Sequence, residues 1–360
     1  MIKIEKQEII TKEEMNLVEY PIQYLGFKVP NNTKTLKWNG EIITKDGIKR
    51  KSTWIVTGAD EFGLPRYKDR DILLGLMYYW KLQGLQSPEL VIEGVNEFLK
   101  LLGMGTSQKD YYALKQSLSR LAGVTITAEY AFWDNEEKDY ASYISFHILD
   151  MAKLIKRGKS YVLKVRAGKE FWESIKNNYI KSLNFTFYLS LGTPLAKTLY
   201  SYLDKKSYQK ERFVIELLKL ASHLGINSKE IWHIRDKVRE ASDILIKRGF
   251  LSCYHFEKRN GSEYIIFDFN KEYLSKEFQE ELKRGEEYVR YTMDEIIKVV
   301  GGDSPDFIEK VARAVPPDLI YRVLGEVKEL ANEGELKGTR FDTFRKLVKK
   351  YMKEIYKITI

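Results

Sequence analysis

Apolar residues along the chain recur first at helical spacing and then at alternate positions, and this succession occurs twice. After Arg66-Tyr67-Lys68, the residues Ile72, Leu73, Leu76, Met77 and Trp80 fall on one face of a helix that stops at Gly84. A second helix is expected from Glu93 to Leu102, ending at Gly103. A third opens at Thr106-Ser107, where Asp110 stands three residues after Ser107 in an N-terminal capping pattern. Its apolar face is Tyr111, Leu114, Leu118 and Leu121, and Gly123 closes it. The period then changes to two: Val124, Ile126 and Ala128 alternate with Thr125, Thr127 and Glu129. A polar turn at 134–139 follows, and 140–148 reads as the return strand.

The second run has the same order. Helices are expected at 194–206 and 215–224, the latter stopping at Gly225. A third opens at Asn227-Ser228 and runs to about Lys247, with Ile231, Ile234, Val238, Ala241 and Leu245 apolar. Residues 251–256 alternate, Lys258-Arg259-Asn260-Gly261 supplies an Asn-Gly hairpin turn, and 264–269 return. Leu102-Gly103-Met104 matches Leu224-Gly225-Ile226 at an offset of 122, which places Val91-Ile92-Glu93 on Phe213-Val214-Ile215.

Three helices followed by a hairpin is the outline of a winged helix-turn-helix. The expected fold class is therefore α+β and helix-rich: two tandem winged helix-turn-helix domains, at 49–185 and 186–275, plus a C-terminal helical region. Residues 1–48 read as an irregular or strand-rich arm ending in the turn Lys45-Asp46-Gly47. Gly168 to Lys181 reads as a helix (Phe171, Trp172, Ile175) that couples the two domains. Residues 276–360 are expected to hold a charged connector and the helical region, with 270–289 as the connector.

Composition narrows the function classes. The 360 residues are 44% hydrophobic and 31% charged, enough for real cores, and the net charge of +9 points towards nucleic acid. The charge is uneven: residues 276–336 carry 9 Lys/Arg and 15 Asp/Glu, whereas 337–357 carry 8 and 2. The last helix, from Phe341 to Tyr356, is thus basic and amphipathic, with Phe344, Leu347, Val348 and Tyr351 on one face. A single cysteine, Cys253, excludes a disulfide framework and a cysteine-rich metal site, and is expected to be a small buried strand residue. Four histidines leave little room for a histidine metal centre; His223 reads as partly buried and satisfied, and His147 and His255 as strand residues. No metal and no cofactor are expected. No apolar run approaches the ~20 residues of a membrane span, and the charged start lacks a signal-peptide core, so a soluble, cytoplasmic protein of a reducing compartment is expected.

Enzyme motifs are missing. The sequence has no GxxxxGK[ST], no GxGxxG between a strand and a helix, no HxxxH or His-x-His pair, and no GxSxG. None of the 24 tyrosines is marked as a nucleophile by a surrounding basic cluster. The chain is read as a non-enzyme.

The candidate chemistry is recognition of double-stranded DNA. In a helix-turn-helix the second helix of the motif enters the major groove. At 100° per residue, the face opposite the apolar stripe holds Lys109, Tyr112, Gln116 and Ser119, flanked by Lys115, in the first copy. In the second it holds Lys229, Trp232, Asp236 and Arg239, flanked by His233 and Arg235. Gln116 suits adenine, and Arg235 or Arg239 suits guanine. Lys109, Lys229 and the hairpin residues Lys258 and Arg259 suit phosphate, which positions without specifying.

Two strings carry a resemblance. FYLSLGTPLAKTLYSYLDKK (187–206) and LLGMGTSQKDYYALKQSLSRLAGVTI (101–126) resemble the plasmid replication initiator protein A family. The first is similar to that family's Leu-Ser-Leu-Gly, small residue, Pro, then a helix with Leu-Tyr-x-Tyr-Leu-Asp. The second is similar to its Leu-Gly, variable turn, Tyr, Leu, Arg-Leu-x-Gly-Val. The resemblance covers roughly 55–270. It implies tandem winged domains and no catalytic centre. It also implies binding to repeats at a plasmid or phage origin and recruitment of host helicase and primase. A homodimer stays open, as do a winged-helix transcriptional repressor and a DNA-nicking replication enzyme.

Overall fold

The computed structural model describes residues 8–26, 29–30, 32–158, 160–207, 210–226, 228, 230–315, 317–332, 336 and 338–356. The chain divides into two compact units, Met1–Asn270 and Lys271–Ile360. The first unit opens with β1 (Ile10–Glu14), α1 (Met15–Glu19) and the hairpin β2 (Thr35–Ile43) and β3 (Lys49–Thr57). There follow α2 (Tyr67–Leu82), β4 (Glu89–Ile92), α3 (Val95–Leu101) and α4 (Gln108–Gly123). Next come β5 (Thr125–Glu129), β6 (Trp133–Asp134), β7 (Asp139–Tyr140) and β8 (Ile144–His147). The long hairpin β9 (Leu149–Arg157) and β10 (Ser160–Ala167) closes the first copy. α5 (Lys169–Lys176), β11 (Ile180–Asn184) and α6 (Phe185–Ser190) lead into the second. That copy is α7 (Pro194–Ser207), β12 (Arg212–Glu216), α8 (Leu217–Leu224), α9 (Ile231–Lys247), β13 (Leu251–Arg259) and β14 (Ser262–Phe269). The second unit is helical: α10 (Lys271–Val300), α11 (Pro305–Ala314), α12 (Pro317–Asn332) and α13 (Arg340–Tyr356).

The fold is α+β, and the repeat is one of topology. Each copy runs helix, strand, helix, helix, strand, strand, and each closes a three-stranded antiparallel sheet in the same order, β4-β10-β9 and β12-β14-β13. α3 and α8 both end at a left-handed glycine, Gly103 at φ 69° and Gly225 at φ 70°, a conformation that costs a side-chain-bearing residue strain. Leu114, Leu118 and Leu121 of α4 are buried as Ile234, Val238 and Ala241 of α9 are, at a spacing of 120. The hairpins match in register: Arg157 pairs with Ser160 as Arg259 pairs with Ser262, at a spacing of 102. The fall from 120 to 102 is an 18-residue insert between helix and hairpin in the first copy.

That insert corrects the expected first hairpin. Residues 124–148 do fold back, β5 pairing antiparallel with β8, but inside a larger sheet rather than as a free-standing wing. β5 pairs with β8 on one edge and with β3 on the other, completing the sheet β2-β3-β5-β8, while β6 and β7 make a separate short ladder. The partner of β5 on that side lies some 70 residues upstream, and alternation alone cannot name a distant partner. The hairpin equivalent to β13–β14 is β9–β10.

Smaller differences follow from the same limit. β4 and β12 are four- and five-residue strands that the sequence reading did not assign; α3 starts at Val95 and α8 at Leu217, not at Glu93 and Ile215. The strand register also shifts the expected match by one. Ile92 pairs with Leu163 as Ile215 pairs with Ile265, so Ile92 aligns with Ile215, not with Val214. Cys253 is exposed, its Sγ 3.3 Å from Asp268 Oδ2, because a register shift between Leu251 and Cys253 breaks the alternation. Residues 271–289, read as part of a connector, belong to α10, a stretch with no proline.

The first core gathers Trp54, Trp80, Phe98, Leu114, Phe146 and Leu163. The second copy buries Leu199, Leu217, Ile234, Phe250 and Phe267. A strap of β1 and β11 joins the two within the first unit. Beneath it Glu13 accepts from Arg70 (α2) at 2.6 Å and from Ser201 (α7) at 2.6 Å, while Lys197 (α7) reaches Asp71 (α2) at 2.7 Å. The opening helices of the two copies are thus tied by buried charge, and their relation is set by the fold. The helical unit has its own core of Ile296, Ile308, Val311, Val323, Val327, Phe344 and Val348.

Candidate nucleic-acid interface

α4 is held at both ends. At its start Asp110 accepts from the Ser107 amide at 3.0 Å, satisfying an orphan donor. The Tyr111 hydroxyl donates to Asn96 Oδ1 at 2.7 Å, and its ring lies 4.4 Å from that of Tyr161 on β10. Further along, Arg120 forms a buried pair with Asp69, at 2.6 and 2.8 Å, and Asp69 also caps the start of α2. The opposite face is open: Lys109, Tyr112 and Lys115 are exposed, and Gln116 and Ser119 are half-buried beside them. Tyr112 keeps 64% of its surface. Among the described residues neither Lys109 nor Lys115 has an ion pair.

α9 presents a comparable face. Trp232 is 65% exposed, the counterpart of Tyr112 at the spacing of 120. Asp236 and Arg239 are exposed and pair with each other at 3.2 Å. The helix begins at Ile231 rather than at Asn227-Ser228: Ser228 Oγ accepts from the Glu230 amide at 3.2 Å and lies 3.2 Å from His233 Nδ1, a local turn that competes with helix. Lys229 lies outside the described residues. Arg235 is turned away from the open face. Its guanidinium donates to Glu263 Oε1 on β14 at 2.8 Å and stacks over Phe256 at 4.5 Å, fastening helix to hairpin.

The hairpin tips are the third feature. Lys258 and Arg259 are exposed, Arg259 reaching Glu257 at 2.7 Å and lying over the Tyr264 ring at 5.5 Å. Asn260 and Gly261 both have positive φ, 48° and 84°, as a two-residue hairpin turn requires. At the equivalent tip of β9–β10 stand Lys156 and Arg157, both exposed, with Lys153 exposed further down β9. Reading the sequence put the first hairpin at 124–148 and so missed these three. The signal was present: Lys156-Arg157 precedes Gly158 as Lys258-Arg259 precedes Asn260-Gly261.

Two of the histidines are held by backbone carbonyls. His223 Nδ1 lies 3.1 Å from the Glu19 carbonyl, and the ring stacks on Tyr202 at 4.9 Å; burial pushes its pKa down although Glu19 pulls it up. His147 Nδ1 lies 3.0 Å from the Val124 carbonyl. Among the described residues no group of three His, Cys, Asp or Glu could hold a metal, and no helix is long and apolar enough to cross a membrane.

The family model for replication initiator protein A matches residues 12–244. No curated protein matches the chain. Among solved structures, domains 2 and 3 of RctB are similar at 14% identity and a TM-score of 0.44, covering 71% of this chain and 98% of that one. A second structure of RctB domains 2-3 is similar at 11% identity and a TM-score of 0.41, with 67% and 94% covered.

Proposed function

Because the chain belongs to the replication initiator protein A family, we propose that it initiates replication by binding repeats at a plasmid or phage origin through two winged helix-turn-helix modules. The observation that carries this reading is the doubled surface. Each copy offers an outward helix face with one large exposed aromatic, Tyr112 or Trp232, beside a hairpin tip bearing Lys-Arg. In this reading α4 and α9 enter successive major-groove faces, about one helical turn (~10.5 bp) apart. Gln116 and Arg239 reach base edges, the former suited to adenine and the latter to guanine. Lys109, Lys115 and the four tip residues meet phosphate and fix the register. Arg235 supports the reading helix from behind, which departs from a base-reading role for it. Each module raises the effective concentration of the other, and the buried strap between them favours a fixed half-site spacing. Recruitment of host helicase and primase completes the role.

The test is the ionic-strength dependence of binding. Replacing Lys156, Arg157, Lys258 and Arg259 together with Ala should weaken all duplexes about equally. It should also flatten the slope of log affinity against log salt by ~0.9 per lost phosphate contact. A slope unchanged from the parent protein would contradict hairpins on the backbone.

A further inference from the structure

The Lys271–Ile360 unit carries a charged face that the two modules do not use. α13 buries Phe341, Phe344, Val348 and Met352 in the core of its own unit. On its other side Arg345, Lys346, Lys349, Lys350 and Lys353 are all exposed. Their spacing gathers them into one stripe, and the eight steps from Arg345 to Lys353 at ~1.5 Å each make it about 12 Å long. No acidic residue occurs between Asp342 and Glu354. Among the described residues none of the five has an ion pair. Of the unit's acids, Glu295 pairs with Lys298, Glu309 with Arg313, and Glu326 accepts from the Tyr351 hydroxyl at 2.8 Å.

We propose that this face binds the sugar–phosphate backbone of double-stranded DNA without regard to sequence. A duplex presents one charge per ~1.7 Å of axis, so a 12 Å stripe faces several phosphates at once. Four of the five cations are lysines, point charges suited to phosphate rather than to planar base edges. The described rings of α13 are turned inward or engaged: Phe341 and Phe344 are buried and Tyr351 is held by Glu326. A strand of unpaired bases needs exposed rings to stack on, and among the described residues this face offers none, which favours duplex. The contact would hold flanking DNA whatever its sequence, and it stands whether or not the two modules read bases.

The experiment uses the full chain and a random-sequence duplex titrated across salt. Lys346→Gln, Lys349→Gln, Lys350→Gln and Lys353→Gln combined should lower affinity at least tenfold near 0.1 M salt. The salt slope should flatten by about two to four, with thermal unfolding unchanged because the residues are exposed. Should the quadruple variant unfold, Lys349→Gln with Lys353→Gln is expected to give about half the change. A control set, Lys298→Gln, Lys310→Gln and Lys328→Gln on the other helices, should leave the slope nearly untouched. Equal slopes for parent and α13 variant overturn the proposal, as does a control set that flattens the slope equally, which would reduce the effect to net charge. Unchanged duplex binding with weakened binding to polyglutamate overturns it in favour of an acidic protein. Because the readout is random DNA, failure of sequence-specific recognition by the two modules leaves this result independent.

Discussion

Three glutamates near the start of the chain show how much a side chain's surroundings decide. Glu13 and Glu14 are neighbours, both buried, yet they titrate in opposite directions. Burial raises each carboxyl, but at Glu13 the Arg70 and Lys181 charges outweigh it and hold the group below its usual range. Glu14 has only neutral donors, Ser174, Leu17 and Asn16, so burial wins and the carboxyl is raised. Glu19 follows Glu13: burial works against ionisation, but Lys205 and Lys206 bring it down to about 2. Lys206 is itself held low by burial, which offsets part of the gain. A carboxyl depressed in the folded state contributes stability that is complete above its unfolded value and fades as pH falls towards the folded one. Between pH 5 and pH 3, therefore, the parent protein should lose more stability than Glu19→Gln. At pH 7 the variant should be less stable by ~1–3 kcal/mol. Urea unfolding at pH 7, 5 and 3 checks this; parallel losses in the two proteins would contradict it. None of this was legible in sequence, where TKEEM reads as a solvated charged run.

At the scale of elements, legibility followed the range of the interactions. α4 and α9 were readable because an amphipathic period of 3.6 is a local property, and so were their outward faces, Tyr112 and Trp232 included. β13–β14 was readable because its turn chemistry is local. The sheet that absorbs β5 and β8 was not, since it depends on strands from the start of the chain, and the true first hairpin was hidden behind that insert. Sequence put Arg239 on the open face and Arg235 at its flank, four residues apart, and offered either one to guanine. Glu263 and Phe256 separate them, because both come from the hairpin. Arg239→Ala should cost on the order of 1–3 kcal/mol of binding to a specific site and relax preference at one base, with stability nearly unchanged. Arg235→Ala should instead lower the melting temperature and weaken specific and random duplexes alike. Competition binding with single-base variants of the site, beside thermal melts, distinguishes the two. Loss of one-base preference in Arg235→Ala would reverse their roles.

At the scale of the whole molecule, the two copies act as one body because they share one compact unit. The Lys197–Asp71 pair between α7 and α2, Glu13 bridging Arg70 and Ser201, and the β1–β11 strap tie them directly. The tandem repeat was visible in sequence, but this coupling was not, since the strap pairs residues about 170 apart. Coupling makes the central claim specific: two readers held at a fixed distance should demand a single spacing between the two halves of a site. The direct measurement is selection of bound duplexes from a random pool with the full chain at physiological salt. The account predicts one enriched motif wider than a helical turn, with two halves at constant spacing. Enrichment of no motif, or of two halves at freely varying spacing, would contradict it.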